Sequence, residues 1–336
     1  LFIYCNLTIY STGAVKKQIT HKHTLTNHRK QASHVLHFQQ NRALLCVNKL
    51  LLFLVAFSEK PIRTADKTNQ KKNNNMKIFK TNQIRNITLS GNAGSGKTTL
   101  AEAMLFEGGI INRRGEVTAK NTASDYTNIE QDYGNSVYSS LMYTEVNGKK
   151  INILDAPGMD DLCGGVVSSL YVTDMNFIVV NASNGIEAGT EAANRHADNA
   201  HIPVGLIFNQ LDHDNSNFDS SLEQCKNLFG NKVTVIQYPV DAGPGFSSII
   251  DVLKMKMYKY GKDGGKPEIM DIPASEADRA AELHNQLVEM AAENEESLME
   301  LYFEQGSLSE EDMRKGIRLG ILDRSLYPVL CVGAKK

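Results

Sequence analysis

The feature that most constrains this chain is one short loop sequence, Gly91-Asn92-Ala93-Gly94-Ser95-Gly96-Lys97-Thr98, which fits the pattern G-x-x-x-x-G-K-[ST] completely. A β-branched and apolar run precedes it at residues 84–90, and residues 97–107 follow with apolar side chains at helical spacing. This order of strand, loop and helix predicts a phosphate-binding loop, because glycines let backbone N–H groups face a phosphate at a helix N-terminus. We expect Lys97 to bridge the β- and γ-phosphates and the Thr98 hydroxyl to bind Mg²⁺.

After this loop, apolar strands alternate with helical stretches. Residues 141–146 and 150–154 flank Asn147-Gly148, a strong hairpin signal that predicts two antiparallel strands. Further strands are predicted at 176–181, 204–209 and 233–238, and helices at 189–200 and 220–228. Such alternation predicts an α/β fold with a mostly parallel sheet covered by helices on both faces.

The last hundred residues have a different character. Ser275 with Asp278 forms a capping-box pattern, and an apolar stripe predicts one long acidic helix that ends near Gly306. A second cap is predicted at Ser309, and residues 327–333 form a strand-like run.

The charge of the chain changes abruptly near residue 75. Residues 1–75 hold 12 Lys and Arg against two acidic residues, a net charge of +10, whereas the remainder carries −12. A membrane-targeting signal and a histidine-based metal site are alternatives, but the apolar run is interrupted and the histidine spacing is unlike a zinc site. We expect this basic leader to be a translated upstream region or gene-model artefact, and the folded part to begin at Met76. Five scattered cysteines argue against a disulfide framework or zinc ribbon and predict a reducing compartment.

Two later motifs distinguish between the nucleotides that a phosphate loop can hold. Asp155-Ala156-Pro157-Gly158 follows a predicted strand, where the carboxylate can hold the Mg²⁺ shell and the Gly158 N–H can face the γ-phosphate. Asn209-Gln210-Leu211-Asp212 follows another strand, and its carboxylate can accept two hydrogen bonds from N1–H and the 2-amino group of guanine. Adenine lacks that pair of donors, so the sequence predicts GTP over ATP.

With these motifs in place, the chain from Met76 resembles the G domain of elongation factor G, the ribosomal translocase. The likeness extends to four further stretches: Arg85-Asn86-Ile87, Asp251-Val252-Leu253-Lys254-Met255-Lys256, Leu298-Met299-Glu300-Leu301-Tyr302 and Pro328-Val329-Leu330-Cys331. The resemblance implies a P-loop GTPase fold with an α/β subdomain inserted before the last guanine-binding loop. It divides the chain into a GTP-binding domain (76–227), the inserted subdomain (228–326) and a final strand and loop (327–336).

The resemblance also implies the ligands and partners of the site. Expected ligands are GTP or GDP with Mg²⁺, and expected partners are ribosomal large-subunit RNA and stalk proteins, with no DNA or membrane. A cytoplasmic monomer is expected. Mg²⁺ is assigned to Thr98, Ser136 and, through water, Asp155. The nucleotide is assigned to Gly91, Asn92, Ala93, Gly94, Ser95, Gly96, Lys97, Thr98, Thr99, Asp155, Gly158, Asn209, Gln210, Asp212, Gly333 and Ala334.

Several positions depart from the family pattern. Met159 stands where the family has its catalytic histidine, and a thioether cannot donate a hydrogen bond to position water. Ser136 replaces the switch threonine, Tyr133 an arginine, Gln210 a lysine and Gly333 a serine. We therefore expect an elongation factor G-like protein acting in translocation whose GTP hydrolysis is weak or absent. The alternative is an active GTPase of the ribosome-protection or recycling type that uses a substitute catalytic group.

Overall fold

The structure, a computed structural model, describes residues 77–261 and 267–334. The first half of this part contains β1 (Ile84–Ser90), α1 (Lys97–Glu107), α2 (Asn128–Tyr133), β2 (Ser140–Val146), β3 (Lys149–Asp155), α3 (Cys163–Leu170), β4 (Met175–Asn181), α4 (Ala188–Ala200), β5 (Val204–Asn209) and α5 (Phe218–Phe229). The second half contains β6 (Val233–Val235), β7 (Gln237–Pro239), β8 (Ser248–Asp251), β9 (Lys256–Lys259), β10 (Glu268–Met270), α6 (Ala277–Ala292), α7 (Glu296–Gln305), α8 (Glu310–Asp323) and β11 (Tyr327–Cys331).

A seven-stranded sheet in the order β2-β3-β1-β4-β5-β11-β6 forms the centre of the fold. Its neighbouring strands pair in parallel, except for the antiparallel hairpin of β2 and β3. Side chains of a strand alternate between faces, yet Phe177, Ile178, Val179 and Val180 in β4 are all fully buried. Both faces of the sheet are therefore covered, and the predicted α/β fold with a mostly parallel sheet is confirmed.

The predicted elements around the first loop are confirmed at their predicted bounds. β1 covers 84–90 and α1 covers 97–107, and α1 buries Leu100, Ala103 and Met104. The predicted hairpin is also confirmed, since Asn147 and Gly148 have φ values of 48° and 76°. Two consecutive residues with positive φ are the backbone that a tight type I′ hairpin turn requires.

The strand predicted at 233–238 is wrong as one element, because the run is divided between two sheets. β6 pairs with β11 in the large sheet, whereas β7 joins an antiparallel sheet in the order β10-β9-β8-β7. Ile236 lies at the division: its N–H donates to Val329 at 3.2 Å, and its carbonyl accepts from Val252 at 3.0 Å. An unbroken apolar run gives no signal of such a change of partner.

The single long acidic helix is also wrong. The chain forms α6 and α7, separated at residues 293–295, where the Asn294 side chain donates to the Met290 carbonyl at 2.6 Å and Glu295 is extended. Ser275 lies in a short 3₁₀ turn and does not cap α6. The predicted cap at Ser309 is confirmed, because its Oγ accepts from Asp312 N at 3.2 Å.

The end of the described chain returns to the large sheet. β11 lies between β5 and β6, so a strand that is distant in sequence takes an interior position in this sheet. The division into 76–227, 228–326 and 327–336 stays a prediction, and the basic leader lies outside the described residues. Among the residues that are described, no helix is both long and apolar enough to cross a membrane.

Candidate functional site

The predicted site residues lie where parallel strands end. The phosphate loop follows β1, Asp155 ends β3, Asn209 ends β5, and Gly333 follows β11. Because these strands run in the same direction, their carboxyl ends meet at one edge of the sheet, where α/β folds bind ligands. The topology thus brings together segments separated by more than two hundred residues in sequence.

The phosphate loop has the backbone that its glycines allow. Gly91 and Gly96 have φ values of 120° and 90°, in the region that side chains rarely adopt. A Cβ on Gly91 would lie 2.6 Å from the Val179 carbonyl, and a Cβ on Gly96 would lie 2.4 Å from Asn209 Nδ2. The loop is therefore packed directly against β4 and against the Asn209 motif, and only glycine fits at both positions.

Lys97 is held inside this loop. Its Nζ donates to the carbonyl oxygens of Gly91 at 3.0 Å and Asn92 at 2.8 Å. Burial lowers the pKa of Lys97 to about 8, although the carboxylate of Asp155 opposes that effect. Burial removes water from this ammonium group. An anionic ligand would stabilise its positive charge in place of that water.

Thr98 is the centre of a buried oxygen cluster. Its Oγ1 donates to Asp155 Oδ2 at 2.8 Å and lies 3.1 Å from Ser136 Oγ. The Ser124 hydroxyl donates to the same Asp155 oxygen at 2.6 Å. Burial raises the pKa of Asp155 to about 6, while the hydrogen bonds from Ser124 and Thr98 and the charge of Lys97 act in the opposite direction. The three residues predicted to surround Mg²⁺ therefore lie together.

The cluster also suits a small hard cation. Asp155 Oδ1 is buried and accepts no hydrogen bond from the described residues, so one carboxylate oxygen is unsatisfied. Hydroxyl and carboxylate oxygens are the ligands that Mg²⁺ prefers, usually together with water and phosphate oxygens. Within 77–261 and 267–334, no group of three or more His, Cys, Asp or Glu side chains forms a separate metal site.

Gly158 lies against the phosphate loop. A Cβ on Gly158 would lie 2.4 Å from Lys97 Nζ and 2.7 Å from Ala93 N. The next side chain, Met159, is 39% exposed and precedes a short 3₁₀ turn. Tyr133 is 71% exposed at the end of α2.

Asn209 connects the three loops of the site. Its Nδ2 donates to the Ser95 carbonyl at 2.9 Å, and its Oδ1 accepts from Ala334 N at 3.0 Å. Gln210 adds a second connection, because its Nε2 donates to the Gly94 carbonyl at 2.8 Å. The neutral amide at this position still braces the phosphate loop, although Gln210 adopts a φ of 62° that is unusual for a residue with a side chain.

Asp212 has an unused acceptor at the same edge. Its Oδ1 is buried and has no hydrogen-bond partner among the described residues. This oxygen lies 3.6 Å from the position that a Cβ on Gly333 would occupy. A carboxylate oxygen placed beside a loop backbone and left without a donor is a strong acceptor for N–H groups of a ligand.

Two remaining predicted residues, Asn92 and Thr99, lie in the phosphate loop and at the start of α1. The Oδ1 of Asn92 accepts from Gly189 N at 3.2 Å, which connects the phosphate loop to α4. Thr99 is half-buried in the first turn of α1, next to Thr98. Every residue predicted to bind the nucleotide is therefore on the phosphate loop, on α1 or at a neighbouring strand end.

Sequence reasoning missed the residues that hold the segment between α1 and β2. Glu102 accepts from the backbone N–H groups of Gly115, at 2.7 Å, and Ala123, and Ser124 reaches Asp155. Arg114 donates to the Ala334 carbonyl. These contacts join residues 13 to 220 positions apart, and Glu102, Arg114 and Ser124 belong to no motif, so no spacing in the sequence could have indicated them.

Comparison with known proteins gives matches over the part of the chain that contains the candidate site. Residues 82–335 match the protein family described as "Elongation factor Tu GTP binding domain". The elongation factor G proteins of two strains of Ureaplasma parvum serovar 3 are each 34% identical over 254 residues, which is 75% of this chain and 37% of theirs. A crystal structure of a protein from Thermus thermophilus matches with a TM-score of 0.71 and 30% identity, over 75% of this chain and 38% of that one. The chain thus spans little more than a third of the length of these relatives.

Proposed function

The chain belongs to the elongation factor Tu GTP-binding domain family and is an elongation factor G-like G domain, and from that premise we propose that it binds GTP and GDP with Mg²⁺. The observation that carries this proposal is the meeting of the phosphate loop, the Asp155 cluster and Asp212 at one edge of the sheet. Asp155 and Asp212 each have a buried carboxylate oxygen without a donor among the described residues, and the phosphate loop offers the Lys97 ammonium.

In this proposal the phosphates lie on the loop around Lys97. The Lys97 ammonium exchanges its hydrogen bonds to two loop carbonyls for the β- and γ-phosphate oxygens. Gly91, Gly94 and Gly96 give the backbone N–H groups of the loop the curvature to face the β-phosphate. Gly158 faces the γ-phosphate end, because it already lies against Ala93 and Lys97.

Thr98, Ser136 and Asp155 would hold Mg²⁺ beside these phosphates. When bound, Mg²⁺ would neutralise charge that develops on the phosphate oxygens. The Thr98 and Ser136 hydroxyls would hold the cation, and Asp155 would contribute through water. Ser124 orients the Asp155 carboxylate by its hydrogen bond to Oδ2.

Asp212 would read the guanine base. Its carboxylate accepts hydrogen bonds from N1–H and the 2-amino group, which adenine cannot offer. Asn209 holds the Ala334 N–H in place at the last loop, where the backbone of Gly333 and Ala334 faces the base. Gln210 packs its stem on the base and keeps the phosphate loop braced through Gly94.

We further propose that this domain hydrolyses GTP weakly. By the resemblance to elongation factor G, Met159 takes the place of the family's histidine, and its thioether cannot donate a hydrogen bond to the attacking water or carry charge. Loss of one such transition-state donor typically costs about 2.7–4 kcal/mol, which is roughly a hundredfold to a thousandfold in rate. The bound nucleotide would then set conformation and ribosome affinity more than it would drive repeated turnover.

The biological role proposed is that of an elongation factor G-like translation factor in translocation. Its partners would be ribosomal large-subunit RNA and stalk proteins, and its place the cytoplasm, where it would act as a monomer. The support is the similarity to proteins named elongation factor G. Residues 228–326 would be the inserted subdomain and 327–336 the final strand and loop of the GTP-binding domain.

A second candidate is an active GTPase of the ribosome-protection or recycling type. A cavity of about 350 Å³ lies between the turn after Met159 and α4, and Asp160, Cys163, Arg195 and His196 line it. Arg195 or His196 could supply a charged group or a donor that Met159 lacks. This cavity is the observation that favours a substitute catalytic group.

Nucleotide competition tests the proposed function. With Mg²⁺ present, GTP and GDP should displace a bound fluorescent GDP analogue while ATP competes poorly, and Asp212→Asn should lose most of that preference. Asp214→Asn is the matched control, because Asp214 is an exposed carboxylate two residues away. Equal affinities for ATP and GTP would refute the guanine assignment.

A further inference from the structure

The loop between β7 and β8, residues 240–247, reaches the base-binding edge from another sheet. Gly243 N donates to the Leu211 carbonyl at 2.7 Å, and Leu211 is fully buried next to Asp212. Gly243 has a φ of 108°, so the turn that makes this contact needs glycine. The loop is thus fastened to the Asn209 motif at the residue before the guanine-reading carboxylate.

Phe246 is the side chain that this loop places against the last loop. A Cβ on Gly333 would lie 3.2 Å from Phe246 Cε1, 3.4 Å from Phe246 Cδ1 and 3.6 Å from Asp212 Oδ1. The ring edge and the carboxylate oxygen are therefore close to the same point on the Gly333 backbone. The Phe246 N–H donates to the Gly243 carbonyl at 2.9 Å, which fixes the backbone from which the ring projects.

The ring also accounts for glycine at position 333. The φ of Gly333 is outside the left-handed region, so backbone conformation does not demand glycine there. What a side chain would meet is the Phe246 ring, at a distance tighter than most real Cβ contacts. Residues 246 and 333 are consequently a matched pair, with a large ring on one side and no side chain on the other.

We propose that Phe246 is a positioning residue for guanine recognition, holding the Asp212 carboxylate and the backbone of Gly333 and Ala334 at the base. This inference rests on the proposed function. The half-buried ring excludes water from one side of the carboxylate, which strengthens the hydrogen bonds that Asp212 accepts from the base. The region between β6 and β11 thereby contributes to base selection through a contact with no place in the nucleotide motifs.

The test compares GDP with inosine diphosphate, which lacks the 2-amino group, by calorimetric titration of the full 336-residue chain with Mg²⁺. The wild-type chain should bind GDP more tightly than inosine diphosphate. Phe246→Ala should lower this preference about tenfold, which is the lower end of what one hydrogen bond to a charged group contributes. Phe246→Leu, which keeps apolar bulk, should retain most of it. The control Phe303→Ala removes a ring that is 79% exposed on α7 and should change nothing.

A second pair of variants separates this role from general packing. Gly333→Ala should also lower the preference, because the added methyl displaces the ring, and it should add little in the Phe246→Ala background. Independent, additive effects would contradict the matched pair, and an unchanged preference in Phe246→Ala would overturn the inference. If circular dichroism shows that Phe246→Ala does not fold, Gly333→Ala and Phe246→Leu test the inference through the same ratio of affinities for GDP and inosine diphosphate. A wild-type chain that binds GDP and ADP equally would instead overturn the proposed function and this inference with it.

Discussion

Gly158→Ala tests how closely the Asp155 motif is packed against the phosphate loop. The added Cβ would lie 2.4 Å from Lys97 Nζ, 2.7 Å from Ala93 N and 2.8 Å from Ala93 Cα. Lys97 could move its flexible end, but the backbone of Ala93 belongs to a loop that is itself packed against β4. Such overpacking typically costs about 1–3 kcal/mol, which for a domain of this size corresponds to a fall in Tm of roughly 2–12 °C.

The neighbouring Gly164→Ala is the matched control. Gly164 lies in α3, and a Cβ there would meet nothing within 4 Å. Alanine in a helix is about 0.5–1 kcal/mol more favourable than glycine, so this variant should melt at the wild-type temperature or slightly above it. Thermal melts followed by far-UV circular dichroism, without nucleotide, give both values. A Gly158→Ala variant with the same melting temperature as Gly164→Ala would refute the packing described for this motif.

Two further predictions concern a half-buried carboxyl group, Glu107, and a buried amide, Asn209. Burial raises the pKa of Glu107 to about 7, with the charge of Arg114 opposing, so the folded state holds this proton more tightly than the unfolded chain. The stability that Glu107 contributes is therefore complete below its unfolded pKa of about 4.5 and lost as pH rises through about 7. In urea titrations, Glu107→Gln should gain stability relative to wild type between about pH 5 and pH 8. A difference in the free energy of unfolding that stays constant with pH would contradict the pKa shift. Asn209→Ala should lower the free energy of unfolding by about 1–3 kcal/mol, because the Ser95 carbonyl and the Ala334 N–H both lose their partner; an unchanged urea midpoint would show that Asn209 does not connect these loops.

Local sequence patterns were sufficient where one element decides its own structure. The strand and helix around the phosphate loop lie at their predicted bounds, because the glycines, Lys97 and the helical spacing of Leu100, Ala103 and Met104 act over a few residues. The Asn147-Gly148 turn was predictable for the same reason, since its two positive φ values follow from residue type.

Local sequence patterns failed where contacts with distant segments determine the secondary structure. The apolar run at 233–238 changes sheets at Ile236, because β11 pairs with its first part and β8 with its last part. The break between α6 and α7 depends on the Asn294 side chain, which bonds to the helix backbone and also accepts from Ser325. Strand pairing with a distant segment and hydrogen bonds of a single side chain decide these two cases. Hydrophobic periodicity carries no information about either.

The same distinction applies to the candidate site. Motifs with fixed spacing identified Lys97, Thr98, Asp155 and Asp212, and the structure brings their segments to one edge of the sheet. Ser124 and Phe246 were not identified, because each acts through a single contact to a motif residue or loop from a segment with no spacing rule. The hydrogen bond from the Gln210 amide to the Gly94 carbonyl was not predicted either, because it joins two loops that lie 116 residues apart in sequence.

The most direct test of this account is phosphate release in multiple turnover on ribosomes by the protein as its gene encodes it. The elongation factor G of Ureaplasma parvum serves as the reference, and Met159→His is compared with wild type. Wild type should bind ribosomes with GTP yet release phosphate at least about a hundredfold more slowly than the reference, and Met159→His should raise the rate by restoring a donor at the same backbone position. Turnover by wild type at the rate of the reference would contradict the role given to Met159 and favour a substitute group such as Arg195 or His196.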